Sequence, residues 1–241
     1  MAASANVLNP RLIDRKLYLA AAIVFPLVVL AGYFKSYYFS SFFSDSKPIA
    51  NMLVHAHGLV MSMWVLYFAA QIALIRTKNV KLHMTMGIAG VVLAIIVIVV
   101  GMVTAYDSLL IRRSTPPGAN PHSFFILPVS DMTLFAILFA AAIYFRKRAV
   151  EHKSLMLLTA INFMPAALFR IPAVPDDYMI IWAFGTPALL AIGTLVWHTW
   201  KHGKLNKVFA TGVAMLLVAV PLRPFISETN AWLTFVGRIA P

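Results

Sequence analysis

With 7 histidines and no cysteine, the chain has imidazole as its main metal-binding and proton-carrying group. His55 and His57 stand in the run MLVHAHGLVMSMWVLYFAAQIALI, which holds no Lys, Arg, Asp or Glu. An ionisable ring in so apolar a setting is costly, and it persists where a neighbour pairs with it or a function needs it. His57, Trp64 and Gln71 follow one another at seven-residue spacing. Two helical turns separate each pair, so the three line one stripe that belongs against other helices rather than lipid. His55 falls on the opposite side of the same helix.

A second set lies further along. The segment NPHSFFILPVSDM puts His122 at the mouth of a helix and Asp131 about two turns deeper. A carboxylate at that depth must be protonated or paired. The expected partners are His57 and Arg170, the latter closing the helix INFMPAALFR; snorkelling of Arg170 to the surface is the competing reading. His152 and Arg170 are five turns apart and so share a face. His83 and His152 open their helices on the other side of the membrane. His198 and His202 have the i, i+4 spacing of two metal ligands on a helix, but the segment WHTWKHGK reads first as a boundary anchor.

The elements that must position these groups are long apolar helices. Hydrophobic residues make up 61% of the 241-residue chain and charged ones only 12%. A soluble domain is about a quarter charged, so the bilayer is the expected solvent. Seven apolar segments are expected to span, at about 17–34, 51–75, 84–106, 123–145, 154–170, 178–199 and 207–222. Together they form a single all-α domain, a seven-transmembrane-helix bundle. No cleavable signal segment is evident, and the first apolar run reads as the first span.

A net charge of +12 invites a nucleic-acid reading, but its placement excludes one. Arg11, Arg15 and Lys16, then Arg76, Lys78 and Lys81, then Arg146, Lys147, Arg148 and Lys153, then Lys201, Lys204 and Lys207 fall in alternate loops. The other loops are diluted by Asp45, Asp107, Asp176, Asp177 and Glu228. Basic short loops mark the cytoplasmic side, which puts the N-terminus in the cytoplasm and the C-terminus outside. Pro116, Pro117 and Gly118 mark an outer turn. Tyr33, Phe34, Tyr37, Tyr38, Phe39, Phe42 and Phe43 crowd the outer boundary as an aromatic belt would. The tail after Pro224 reads as a short interfacial helix carrying Trp232 and Phe235.

Two hairpins echo each other. RTKNVKLHMTM joins the second helix to the third, and RKRAVEHKSLM joins the fourth to the fifth. Each gives an Arg, a basic loop, a His and a Met-containing helix start, a pattern expected of repeated helical hairpins.

The blocks HAHG-x5-W-x6-Q with LHMTMG, FILPVSDMTLF with R-x5-HKSLMLL, and PLRPFIS-x3-AWLTF resemble an uncharacterised family of bacterial multi-pass membrane proteins. Met84 departs from that pattern, where an Arg would be expected. The resemblance covers nearly the whole chain and implies a bacterial cytoplasmic (inner) membrane location, with no assigned activity. A more distant likeness in histidine placement is to the ascorbate-reducible di-haem b-type transmembrane cytochromes. It implies one haem between His57 (or His55) and His122, and another between His83 and His152, with Trp64, Gln71, Asp131 and Arg170 around them.

Three functions follow as expectations. The leading one is a non-catalytic or accessory subunit of a larger bioenergetic membrane assembly, for which low charge and short loops are suited. The first alternative is a haem b protein moving electrons, with quinone as a partner. The second is small-ligand or ion transport through a cavity lined by His57, Gln71, Asp131 and Arg170. A retinal-type Schiff base is excluded because Lys207 is only at the edge of the last span. No phosphate-binding glycine loop or nucleophile elbow is present.

Overall fold

A computed structural model describes residues 10–44, 51–112 and 120–240. Among them there are helices and no strands. Asp45, Pro116, Pro117 and Gly118 lie outside the described residues. The helices are α1 (Pro10–Tyr33), α2 (Met52–Arg76), α3 (Val80–Asp107), α4 (Pro121–Phe124), α5 (Ile126–Tyr144), α6 (Ala149–Leu168), α7 (Thr186–His202), α8 (Lys207–Ser227) and α9 (Asn230–Ile239).

Local chemistry sets their starts. Asn51, Asn79, Asn120, Asn206 and Thr229 each accept a backbone N–H from the first turn of α2, α3, α4, α8 and α9 respectively. Such caps satisfy donors that a helix start leaves orphaned. Gly203, in the left-handed region at φ 62°, ends α7.

Six segments are long and apolar enough to cross a membrane: Arg15–Tyr38, Met52–Arg76, Val80–Leu110, Pro121–Tyr144, Asp176–His202 and Lys207–Ser227. The expected seventh, 154–170, corresponds to α6 and does not meet that test. Its low hydropathy has a physical reason. Glu151, His152, Lys153 and Asn162 sit on a helix whose sides face protein, so lipid does not select its surface. Leu158, Thr159 and Ala167 of α6 are fully buried.

The helices close two compartments that share the α5–α6 wall. Contacts run α1 to α2, α2 to α3, α3 to α5, α5 to α6 and α6 back to α1. On the other side α6 meets α7, α7 meets α8, and α8 returns to α5 and α6. Two glycines permit close approaches between helices. A Cβ on Gly32 would lie 2.3 Å from the carbonyl oxygen of Ala167, and one on Gly212 would lie 2.6 Å from Leu158. The first compartment is filled by aromatic rings: Trp64 stands edge-on to Phe135 at 4.9 Å, and Phe25 to Phe68 at 5.8 Å.

The basic loops gather at one end. Arg76 Nη1 donates to the carbonyl of Arg15 at 3.0 Å, tying the start of α1 to the end of α2. At the opposite end, α9 lies across the bundle. Trp232 Nε1 donates to the carbonyl of His122 at 2.9 Å, its ring stacks on Phe125, and Tyr106 donates to the carbonyl of Ile239 at 2.8 Å.

Several boundaries differ from the sequence expectation. The third helix begins at Val80 and the fifth at Ala149, so His83 and His152 each sit about one turn inside a helix rather than opening it. The fourth expected helix, 123–145, is broken at Phe125 into α4 and α5. The last continues through Pro221 and Pro224 to Ser227 instead of stopping at 222. Prolines are tolerated there because neighbouring helices support the interrupted backbone.

Candidate functional site: two polar centres between the helices

The polar stripe expected on α2 faces inward. Trp64 is 1% exposed. Its Nε1, together with both amide atoms of Gln71, is buried without a hydrogen-bond partner. Nδ1 of His57 is likewise buried. His55, on the other side, is exposed and lies beside Tyr37, ring centres 6.0 Å apart.

At the basic end, the first compartment holds the two histidines of the echoing hairpins. The rings of His83 and His152 stand 6.4 Å apart, centre to centre, at 78°. Nδ1 of His152 reaches back across its own hairpin to the carbonyl of Ala142 at 2.9 Å. That carbonyl belongs to the last turn of α5, where acceptors have lost their helical donors. Nδ1 of His83, by contrast, is buried without a hydrogen-bond partner.

The second compartment holds a buried ion pair that the sequence did not suggest. Asp131 pairs with Arg223 of α8 at 2.5 Å, with the two side chains 17% and 6% exposed. This corrects the expected pairing with His57 or Arg170. Arg170 lies beyond the end of α6, exposed, with its guanidinium 4.5 Å from the centre of the Tyr33 ring and one Nη donating to the carbonyl of Ala166. The shared face expected for His152 and Arg170 is therefore broken at Leu168. Arg223 falls one residue beyond the expected end of the last span at 222, whereas α8 continues to Ser227 and carries it inside the bundle. Its signal was a lone cation in an otherwise uncharged apolar run.

Asn162 of α6 completes this centre. Its Nδ2 donates to the backbone carbonyl of Asp131 at 2.9 Å. A carbonyl only accepts, so this bond fixes the amide orientation. Oδ1 of Asn162 and Nε of Arg223 are buried and have no partner. Both residues line a small half-open cavity of about 30 Å³ between α6, α7 and α8, whose other walls include Pro165, Phe184 and Val220. Pro165 and Pro224 lack the N–H that the carbonyls of Ile161 and Val220 would accept in an uninterrupted helix. The Arg223 guanidinium lies 5.5 Å from the centre of the Phe184 ring.

Of the remaining candidates, His122 serves the α4 cap and the α9 contact through its backbone. The rings of His198 and His202 lie 4.3 Å apart on α7. Among the described residues, no three His, Cys, Asp or Glu side chains converge as a metal-binding group. No family model, curated protein or solved structure matches the chain.

Proposed function

We propose that this chain is a seven-span integral membrane protein that binds a small, neutral, bilayer-soluble molecule in the cavity between α6, α7 and α8. One observation carries the reading: Arg223 Nε and Asn162 Oδ1, a donor and an acceptor, are both buried and unpartnered on the same cavity. Leaving such groups unmade costs about 1–3 kcal/mol each. A helix scaffold has no use for that cost, whereas a ligand carrying a hydroxyl or amide would recover it.

The charge balance argues for a neutral ligand. Asp131 already compensates Arg223, so an ionised ligand would add an unpaired charge at membrane depth. The apolar walls favour a hydrophobic body. Entry from the lipid between α7 and α8 is supported by half-exposed Ala188, Leu216 and Val220, against buried Ile161 and Asn162 on α6. This is the cavity function expected from sequence, with Asn162 and Arg223 in place of His57, Gln71 and Arg170.

The topology that goes with it has α6 as the central seventh span, the basic loops in the cytoplasm and α9 on the outer surface of a bacterial inner membrane. Mass spectrometry of the protein in lipid nanodiscs tests the reading. A small molecule should be retained by the native chain and lost from Asn162→Leu. Equal content in both, with both folded, would overturn it and favour the accessory-subunit role.

A further inference from the structure

We propose that the basic end of α7 binds an anionic phospholipid. Lys201, held between Trp197 and Trp200, takes the phosphate, and the outward face of α7 takes an acyl chain. The site shares no residue with the Arg223 cavity.

The cation is fixed in place and left unneutralised. Lys201 Nζ lies 4.0 Å from the centre of the Trp200 ring and 5.1 Å from that of Trp197. The two indoles stand edge to face, 5.6 Å apart. An ammonium over an indole is attracted by the ring quadrupole, so two rings order a side chain that would otherwise sample many rotamers. Among the described residues, no carboxylate pairs with Lys201 and no oxygen accepts from its ammonium. Three N–H donors are therefore open. An ordered lysine with open donors is suited to a phosphate diester, which it meets as a point charge.

The surrounding turn adds positive charge. Lys204 follows Gly203 in the turn after α7, and Lys207 opens α8. Both are exposed, and among the described residues neither pairs with a carboxylate. Glu151, at the start of α6, accepts instead from Asn206 Nδ2 at 3.2 Å. Lys207 also stands at the positive end of the α8 dipole, and no acid occupies that first turn. Basic clusters at such a boundary attract anionic headgroups.

An apolar track leads to the clamp. Leu189, Val196 and Trp200, at 71%, 60% and 68% exposure, are spaced by seven and four residues and so line one outward face of α7. Gly193 lies on that face. A Cβ there would meet nothing within 4 Å, unlike those on Gly32 and Gly212, whose smallness admits a neighbouring helix. Glycine inside a helix is less stable than alanine, and no described neighbour uses the room it leaves. That room is a notch open to an acyl chain. Along α7 the order is hydrocarbon-facing groups, then indoles, then the cation, as in a membrane interface. A soluble anion or an acidic protein segment would engage the lysines and leave the Leu189–Val196 face bare, so lipid is the occupant that fits the whole surface.

Phosphatidylglycerol is the probe, against phosphatidylcholine with the same acyl chains. The full chain, released into mild detergent from nanodiscs holding equal parts of the two, should retain phosphatidylglycerol in preference by native mass spectrometry. Lys201→Gln keeps the stem and removes the charge, and should lower that preference about fivefold. Lys201→Arg should retain it, and Trp200→Ala should lower it because the cation is no longer held. Lys81→Gln, at an exposed lysine elsewhere on the basic end, should change nothing. Asn162→Leu should keep the lipid, which separates this site from the cavity. Equal retention of the two lipids by the native chain would overturn the proposal. So would an equal drop in Lys81→Gln and Lys201→Gln, since the preference would then come from diffuse charge. Gly193→Leu should release the lipid from a monomer. A dimer broken by that change, with lipid retention unaltered, would put a second copy on this face and also overturn the proposal.

Discussion

Asp131 and Arg223, 92 residues apart in sequence, close an ion pair at 2.5 Å across the α5–α8 interface. Asn162 of the central helix holds the backbone of the first. Three helices are therefore joined at one buried point, and the same point forms the wall of the cavity. Under the proposed function, stability and ligand recognition are coupled here through Arg223.

Removing one charge should be far worse than removing both. Asp131→Ala leaves a buried guanidinium uncompensated, a loss of about 3–5 kcal/mol. The double variant Asp131→Leu with Arg223→Met should recover most of it, because matched apolar replacements of buried pairs are close to neutral. Thermal unfolding in detergent measures both. Equal destabilisation by the single and double changes would mean that the pair is incidental.

Gly32→Ala tests the central position of α6. The added methyl would meet the Ala167 backbone, which cannot move without displacing the helix. Overpacking of this kind costs about 1–3 kcal/mol. An unchanged unfolding temperature would show that α1 does not lie against α6.

The end helix α9 should detach when its anchor is cut. Trp232→Ala removes the bond to the His122 carbonyl and the stack on Phe125, together about 2 kcal/mol. Protease should then cleave between Ser227 and Asn230 faster than in the native chain, with the rest of the bundle intact.

Much of this architecture was legible in the sequence, and for a plain reason. Spans declare themselves by hydropathy, and the α2 stripe by its seven-residue period. The His83–His152 meeting was foreshadowed by the repeated hairpin. Three things were hidden. A central helix is packed largely by protein, so α6, although its segment was expected to span, falls short of the lipid-facing helices in hydropathy, and its central place cannot be read from composition. Arg223 was hidden by its flanking prolines, since whether a helix survives Pro depends on its neighbours. Asn162 gave no signal at all: a single amide among apolar residues acquires meaning only when Asp131 is opposite it.

His57 provides a sharp contrast. It was the leading candidate from sequence, yet the cavity walls do not include it. His57→Ala should leave the retained small molecule unchanged, whereas Asn162→Leu removes it. Extraction and mass spectrometry of the two variants side by side make the comparison. Loss of the molecule in His57→Ala would move the site to α2.

The absence of cysteine makes topology directly accessible. Thr77→Cys and Lys204→Cys should be shielded from an impermeant thiol reagent added outside intact cells, while Thr229→Cys should react. Reaction of Thr77→Cys from outside would invert the orientation.

The most direct measurement is an experimental density map of the protein in lipid, at a resolution that shows bound small molecules. The account predicts non-protein density between α6, α7 and α8, within hydrogen-bonding distance of Arg223 Nε and Asn162 Oδ1. A map in which those two atoms bond to protein groups, with the helices closed over an empty gap, would contradict it.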